Sequence, residues 1–366
     1  IIGFIFYSIF PLLVMAERLT PYVNPFVGTD GYGNVYPGAQ IPFGGIQISP
    51  DTDADFYDAA SGYKYSHSTL MGFSLTHLSG TGIPDLGDFL FVPGAGEIKS
   101  VPGTHDEPEK GYRSHYSHDK EWASPGYYGV ELIDYGVKAE MTAASRSGFF
   151  RFTYPKSDQA FILIDMNHTL WQSCPWANLR QINDSTLVGY KLVKGWGPER
   201  HVYFAATFSC KLNNFQILQN GKPVIYDTKR FRSHLEAWGE KLMACVRFET
   251  QANQEIYVKT AISGVSTEGA LRNLQELNGF DFDRTREAAD RLWEKELSKF
   301  QVKGDLKTKQ TFYTSAYHAA LHPFIFQDVD GMYRGLDKNI EKAENFTNYT
   351  TFSLWDTYRA FHPLLN

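Results

Sequence analysis

From Tyr22 to about Glu249 apolar positions come in short alternating or continuous runs, separated by Gly, Pro, Asn and Asp, with almost no helical spacing. Residues 129–139, 147–154, 160–165 and 201–208 are examples. Side chains along a strand face opposite sides with a period of two, so these runs predict strands. Their rapid succession without intervening helices predicts a large antiparallel β-sandwich rather than a parallel α/β sheet.

The period changes after Gly264. Residues 282–300 place Ala288, Leu292, Trp293, Leu297 and Phe300 on one stripe, with charges opposite, which predicts a helix capped by Asp283 or Thr285. A second helix is predicted over 308–322, with Phe312, Ala316, Ala319 and Ala320 inward and Pro323 as its stop. A third starts near Thr350 and runs to the last residue. Three helices cannot bury this much apolar surface among themselves, so the sequence reads as ending inside a second domain.

Composition supports a large folded protein. The 366 residues exceed what one core usually fills, and 43% are hydrophobic and 15% aromatic. A net charge of -6, with both signs dispersed, leaves no basic stripe for a phosphate backbone, which argues against nucleic acid as a partner. Cys174, Cys210 and Cys245 are too widely spaced for a zinc motif and allow at most one disulfide. Residues 1–16 are apolar and end at Ala16, the length of a secretory signal segment, so a secreted, periplasmic or envelope location is expected, with no membrane span afterwards.

The stretch from Gly72 to Pro93 carries the densest chemistry: His77, Ser79, Gly80, Thr81, Gly82, Asp85 and Asp88 lie between two strand-like runs. Glycines let backbone amides approach a ligand, and hydroxyls, carboxylates and imidazole read hydroxyl groups, so a sugar is the ligand class this loop suits. The alternative is an irregular loop that satisfies its own backbone. His77 reads as a histidine satisfied within the fold rather than as a proton shuttle.

Residues 24–44 (N-P-F-V-G-T-D-G-Y-G-N-V-Y-P-G-A-Q-I-P-F-G), 61–65 (S-G-Y-K-Y), 72–93 and 350–359 (T-T-F-S-L-W-D-T-Y-R) together resemble the calcium-dependent exo-α-mannosidases of glycoside hydrolase family 92. Further matches fall at 194–209 and 326–335. The resemblance implies an N-terminal β-sandwich over 17–264, linker helices over 265–305 and the opening of an (α/α)6 barrel over 306–366. It also implies removal of terminal α-mannose from mannans or N-glycans with inversion, and a calcium ion that helps to hold the mannose. The general acid, general base and most calcium ligands are implied to lie further along the barrel than Asn366, so no catalytic residue is assigned and this piece alone is expected to be inactive. A noncatalytic carbohydrate-binding module, or another sandwich-plus-barrel carbohydrate enzyme, are the competing readings, because sandwiches host lectins and enzymes alike.

By the same resemblance Asp356 hydrogen-bonds mannose where cleavage occurs, although an aspartate early in a helix is also stabilised by the helix dipole. Trp355 is a pocket wall or core residue, and Arg359 orients the carboxylate. His77, Ser79, Gly80, Asp85 and Asp88 are expected to reach the pocket, with residues 30–34 and 37–40 as further contributors. Tyr57 stands where many members carry a tryptophan near the scissile linkage, which leaves linkage preference open. Arg334 is expected to anchor the D-V-D-G turn of residues 328–331.

Overall fold

Residues 160–165 are apolar almost throughout because their strand is covered on both sides. In the computed structural model, which describes residues 17–54, 59–225, 235–350, 357 and 361–365, strand Ser157–Asp165 lies in the middle of a seven-stranded sheet. Ala160, Ile162 and Ile164 face the main core, whereas Phe161 and Leu163 meet Leu90, Val92, Tyr112 and Met243 on the other side. The seven strands run, in order, Ser49–Asp51, Gly72–Ser74, Leu90–Ala95, Ser157–Asp165, Leu242–Thr250, Asn214–Gln219 and Lys222–Pro223.

A nine-stranded sheet packs across that core, in the order Glu236–Gly239, Ser173–Asn183, Thr186–Lys194, Arg200–Phe208, Gln254–Ser263, Ser147–Tyr154, Val137–Ala143, Tyr127–Leu132 and Glu121–Ser124. Every pairing in both sheets is antiparallel. The sheets interlock through aromatic pairs such as Phe89–Phe204 and Phe91–Phe150, with ring centroids 4.6 and 4.9 Å apart. The expected sandwich is therefore present. The predicted run over 129–139 divides into two strands around a turn at Gly136, whose φ of 61° is open to glycine at little cost.

Three helices follow: α1 (Thr267–Asn273), α2 (Phe282–Leu297) and α3 (Leu306–Ala319). Ser266, Asp281 and Asp305 cap them, each side chain accepting from a backbone N–H three residues on. Asp283 and Thr285, the expected caps of α2, lie two and four residues after Asp281, already inside the helix.

The outer face of the nine-stranded sheet is covered by α1, through Ala270 against Val188, Ala205 and Ala261, and by Phe282 of α2 against Tyr127 and Phe149. Further along α2, Arg286 lies over the Tyr127 ring and Ala289 and Trp293 lie against Gly126, at the turn between strands Glu121–Ser124 and Tyr127–Leu132. Trp293 and Leu297 also pack with Tyr313, Tyr317 and Leu321.

The inward faces of α2 and α3 differ from the expected stripes. In α2 the buried residues are Phe282, Ala289, Trp293 and Leu297, while Leu292 is 43% exposed. In α3 Tyr313, Thr314 and Tyr317 face inward and Phe312 is exposed. The polar ends of two of these residues find partners: Tyr313 donates to the Phe300 carbonyl at 3.1 Å, and the Thr314 hydroxyl accepts from Asn24 N–H at 3.0 Å. A hydroxyl with a partner is buried at little cost, which a count of apolar residues overlooks. The predicted third helix falls largely outside the described residues, which include Phe361–Leu365 as helix. All three cysteines are free thiols.

Candidate functional site at the sandwich and helix junction

The stretch 36–45 joins the sandwich to the helices, and Gln40 is its centre. Fully buried, its amide donates to the carbonyls of Gly44 (3.0 Å) and Leu321 (2.8 Å), while its side-chain oxygen accepts from Tyr36. Its own carbonyl accepts from the Trp293 indole at 2.6 Å. One residue thus ties the sandwich edge to α2, through its backbone carbonyl, and to the segment after α3, through its side chain. Phe43 N–H donates to the Ala320 carbonyl and Ile325 N–H to the Phe43 carbonyl. A Cβ on Gly45 would lie 2.6 Å from the Ile325 carbonyl oxygen, so only glycine allows this approach.

Beside this joint lies a group of polar atoms that the sequence reading did not single out. The hydroxyl of Tyr317 and Nε2 of His318 are buried without a hydrogen-bond partner among the described residues, and the buried ring of His322 meets at most the His77 backbone. Buried polar atoms are nearly always paired, so such a group marks a place shaped by something other than packing. The two histidines bracket an apolar A-A-L and precede Pro323, and that local pattern resembles an ordinary helix end. Two residues after His322, Phe324 exchanges hydrogen bonds with Thr350, the first residue of the T-T-F-S-L-W-D motif.

Burial lowers both imidazoles to about 4; for His322 a hydrogen bond with the His77 backbone opposes this and the charge of the His77 ring adds to it. In the unfolded chain each titrates near 6.5, so unfolding takes up protons between about pH 6.5 and 4. Their contribution is complete above about pH 6.5 and declines as pH falls through that window, by about 1.4 kcal/mol per unit for each histidine. Thermal melts are expected to show a falling Tm across the window. Replacing both residues with Gln should flatten the decline.

The loop motifs divide into a buried base and an open tip. At the base, Asp51 bridges His77 and His168, each carboxylate oxygen 2.7 Å from an imidazole Nε2, and the other nitrogen of His77 lies 2.8 Å from the Gln47 carbonyl. Burial alone would raise the Asp51 carboxyl, but the two imidazoles overcome it and hold the group well below the usual carboxylate range. The glycine of S-G-Y belongs to this cluster: at Gly62, with φ +82°, a Cβ would stand 2.1 Å from the Asp51 carboxylate.

A second ionic cluster holds the far end of the loop. Asp88, fully buried, pairs with Lys191 at 2.9 Å, accepts from Thr76 at 2.7 Å and is gripped by Arg200. Lys191 is equally buried, and Arg200 comes from the 194–209 segment, so two of the separate motif matches meet here. Asp85 is half-buried, 3.9 Å from Arg200, and burial raises its carboxyl.

His77 and Asp88 therefore present no surface to a ligand: their side chains are spent on holding the loop. Ser79, Gly80, Thr81 and Gly82 form its tip. A Cβ at Gly80 or Gly82 would meet nothing within 4 Å. Gly80 N–H donates to the Asn34 carbonyl at 2.7 Å, and the Ser61 hydroxyl donates to the same oxygen, so D-G-Y-G-N, S-G-Y and the loop converge. Tyr57, Trp355, Asp356 and Arg359 lie outside the described residues.

Asp328 is buried and accepts from Ser263 and Asn273, both at 2.8 Å, which ties the D-V-D-G turn to α1. Arg334 donates to the Gly264 carbonyl at 2.9 Å and to that of Lys338. It anchors the turn to the end of the sandwich.

Calcium takes about six to eight oxygen ligands. Among the described residues, the one group of three metal-ligating side chains is Asp53, His67 and His105, two of them imidazoles. That donor set does not suit calcium.

Two family descriptions match the chain: the glycosyl hydrolase family 92 N-terminal domain over residues 22–263 and the family 92 catalytic domain over residues 269–366. The chain belongs to glycosyl hydrolase family 92. Among solved structures, a family GH92 alpha-mannosidase from Bacteroides thetaiotaomicron is 75% identical, with a TM-score of 0.93 over 96% of this chain and 47% of its own. It has also been solved in complex with mannoimidazole. A family GH92 inverting mannosidase from Bacteroides thetaiotaomicron VPI-5482 is 25% identical, with a TM-score of 0.79, over 95% of this chain and 46% of its own. An uncharacterized secreted glycosidase of Arthroderma benhamiae is 25% identical over 92% of this chain and 45% of its length. The chain spans about half the length of these family 92 relatives. No helix among the described residues is long and apolar enough to cross a membrane.

Proposed function

We propose that this chain is the sandwich and the opening of the (α/α)6 barrel of an exo-acting α-mannosidase that removes terminal α-linked mannose with inversion. The observation that carries the reading is the 75% identity, over 96% of the chain, to an alpha-mannosidase of the same family that has been solved with mannoimidazole. In this reading the tip formed by Ser79 and Gly80, with Asp85 behind it, faces the sugar, and the two buried ionic clusters keep the tip in place. Asp356 takes two mannose hydroxyls, Trp355 walls the pocket and Arg359 aligns the carboxylate. Tyr57 contacts the residue beyond the cleaved bond, where it bears on linkage preference.

An inverting glycosidase places an acid and a base about 6.5–9.5 Å apart across the sugar, leaving room for the attacking water. We assign that pair, and the calcium site, to catalytic-domain positions beyond those of this chain, and we place the protein outside the cytoplasm. The test is release of mannose from an α-mannoside by the whole protein, followed by proton NMR. The first-formed sugar is expected as the β-anomer, and activity is expected to disappear on removal of calcium with EGTA. Release of the α-anomer would overturn inversion, and full activity in excess chelator would overturn the metal requirement.

A further inference from the structure

We propose that Asp53, His67 and His105 form a zinc site that fastens three loops at one edge of the sandwich. Asp53 follows strand Ser49–Asp51, His67 precedes the short strand Thr69–Leu70, and His105 lies in the long excursion after strand Leu90–Ala95. A carboxylate oxygen and one nitrogen from each ring lie within 4.8 Å of one another. Between His105 Nε2 and Asp53 Oδ2 the distance is 3.3 Å. Two ligands on a tetrahedral zinc, each bonded at about 2.0–2.1 Å, are about 3.3–3.4 Å apart. That pair already stands at the spacing of a shared ion.

The surroundings of the two rings point the same way. His67 Nδ1 is 3.0 Å from the Thr52 hydroxyl and His105 Nδ1 is 3.0 Å from the Thr69 hydroxyl. Thr52 accepts from Lys64 N–H at 2.9 Å and turns its own proton toward the Gly62 carbonyl, so it is an acceptor for the His67 Nδ1 proton. An imidazole that gives up its Nδ1 proton in this way presents the Nε2 lone pair to a metal, the arrangement that ligating histidines generally have.

Arg113, buried beside these threonines, donates to the Thr52 carbonyl and the Thr69 hydroxyl, and so holds in place the two residues whose hydroxyls meet the rings. Side-chain exposures of 34% for His105 and 22% for Asp53 leave an entry path and a fourth position for water. Two nitrogens and one carboxylate favour zinc over a hard cation such as calcium, so this site is separate from the calcium assigned above to the catalytic domain.

The full chain, stripped with EDTA and freed of chelator, should bind ZnCl2 in isothermal titration calorimetry with one site of micromolar or tighter Kd, and its Tm should rise on loading. Separate His105→Asn and His67→Gln variants should weaken binding at least 100-fold and lose the Tm rise. Thr52→Val, which keeps all three ligands and removes the Nδ1 acceptor together with the hydroxyl's bonds to Lys64 and Gly62, should weaken binding about 10-fold. Co2+ provides a readout that needs no substitution: the visible bands of a four-coordinate site should appear at one equivalent and vanish on adding Zn2+. No saturable zinc binding, no such Co2+ bands, or an affinity unchanged in both histidine variants would overturn the proposal.

Discussion

Replacing Asp356 with alanine is expected to reduce kcat/KM of the whole enzyme on an α-mannoside by between about 10²- and 10⁴-fold. Two hydrogen bonds from sugar hydroxyls to a carboxylate are worth about 1.5–3 kcal/mol each, and each 1.4 kcal/mol is a factor of ten in rate. Asp356→Asn keeps the shape and one acceptor, so it should retain part of the activity. Urea unfolding of the alanine variant should match the parent, because the expected role is toward the sugar. Turnover near that of the parent would remove Asp356 from the site. A large loss of stability would instead make it a structural helix residue.

The largest effect on stability is expected from Asp88→Ala. Lys191 has no exposure in the folded chain, and the substitution would strand its charge in the interior along with much of the compensation for Arg200. Removing one partner of a buried pair costs about 3–5 kcal/mol, since the remaining charge has lost its water as well as its counter-ion. The midpoint of urea unfolding should fall accordingly, with the slope unchanged. Asp88→Leu combined with Lys191→Met should recover much of the loss, because a neutral pair leaves less charge unpaired. If the single variant unfolds like the parent, the cluster does not hold the loop.

What could be read from the sequence followed the range of each signal. Period-two runs located the strands, and the change of period after Gly264 located the helices, because both patterns are local. The inward face of α3 was misplaced because tyrosine and threonine count as polar until their hydroxyl partners, Phe300 and Asn24, are known. The Asp51 cluster left no local trace, since its two histidines lie 26 and 117 residues away in the chain.

Lys191 did leave one. It shares the inward register of strand Thr186–Lys194 with Leu187, Gly189 and Val193, and a charge at such a position requires a buried partner. The loop motifs were visible as a sugar-reading composition, but composition could not separate the residues that support the tip from those that form it. His77 and Asp88 have the right chemistry and no exposure.

The covering of the nine-stranded sheet bears on how this protein can be divided. The family descriptions leave a gap between residues 263 and 269, which looks like a convenient place to separate a lectin-like module from a catalytic one. A cut there would uncover Val188, Ala205 and Ala261, which Ala270 and Leu274 normally roof, and would remove the indole that Gln40 needs. The sandwich would emerge with an adhesive flank and prone to self-association. Lineages that shuffle carbohydrate-binding modules between enzymes would gain little from borrowing this one without its helices.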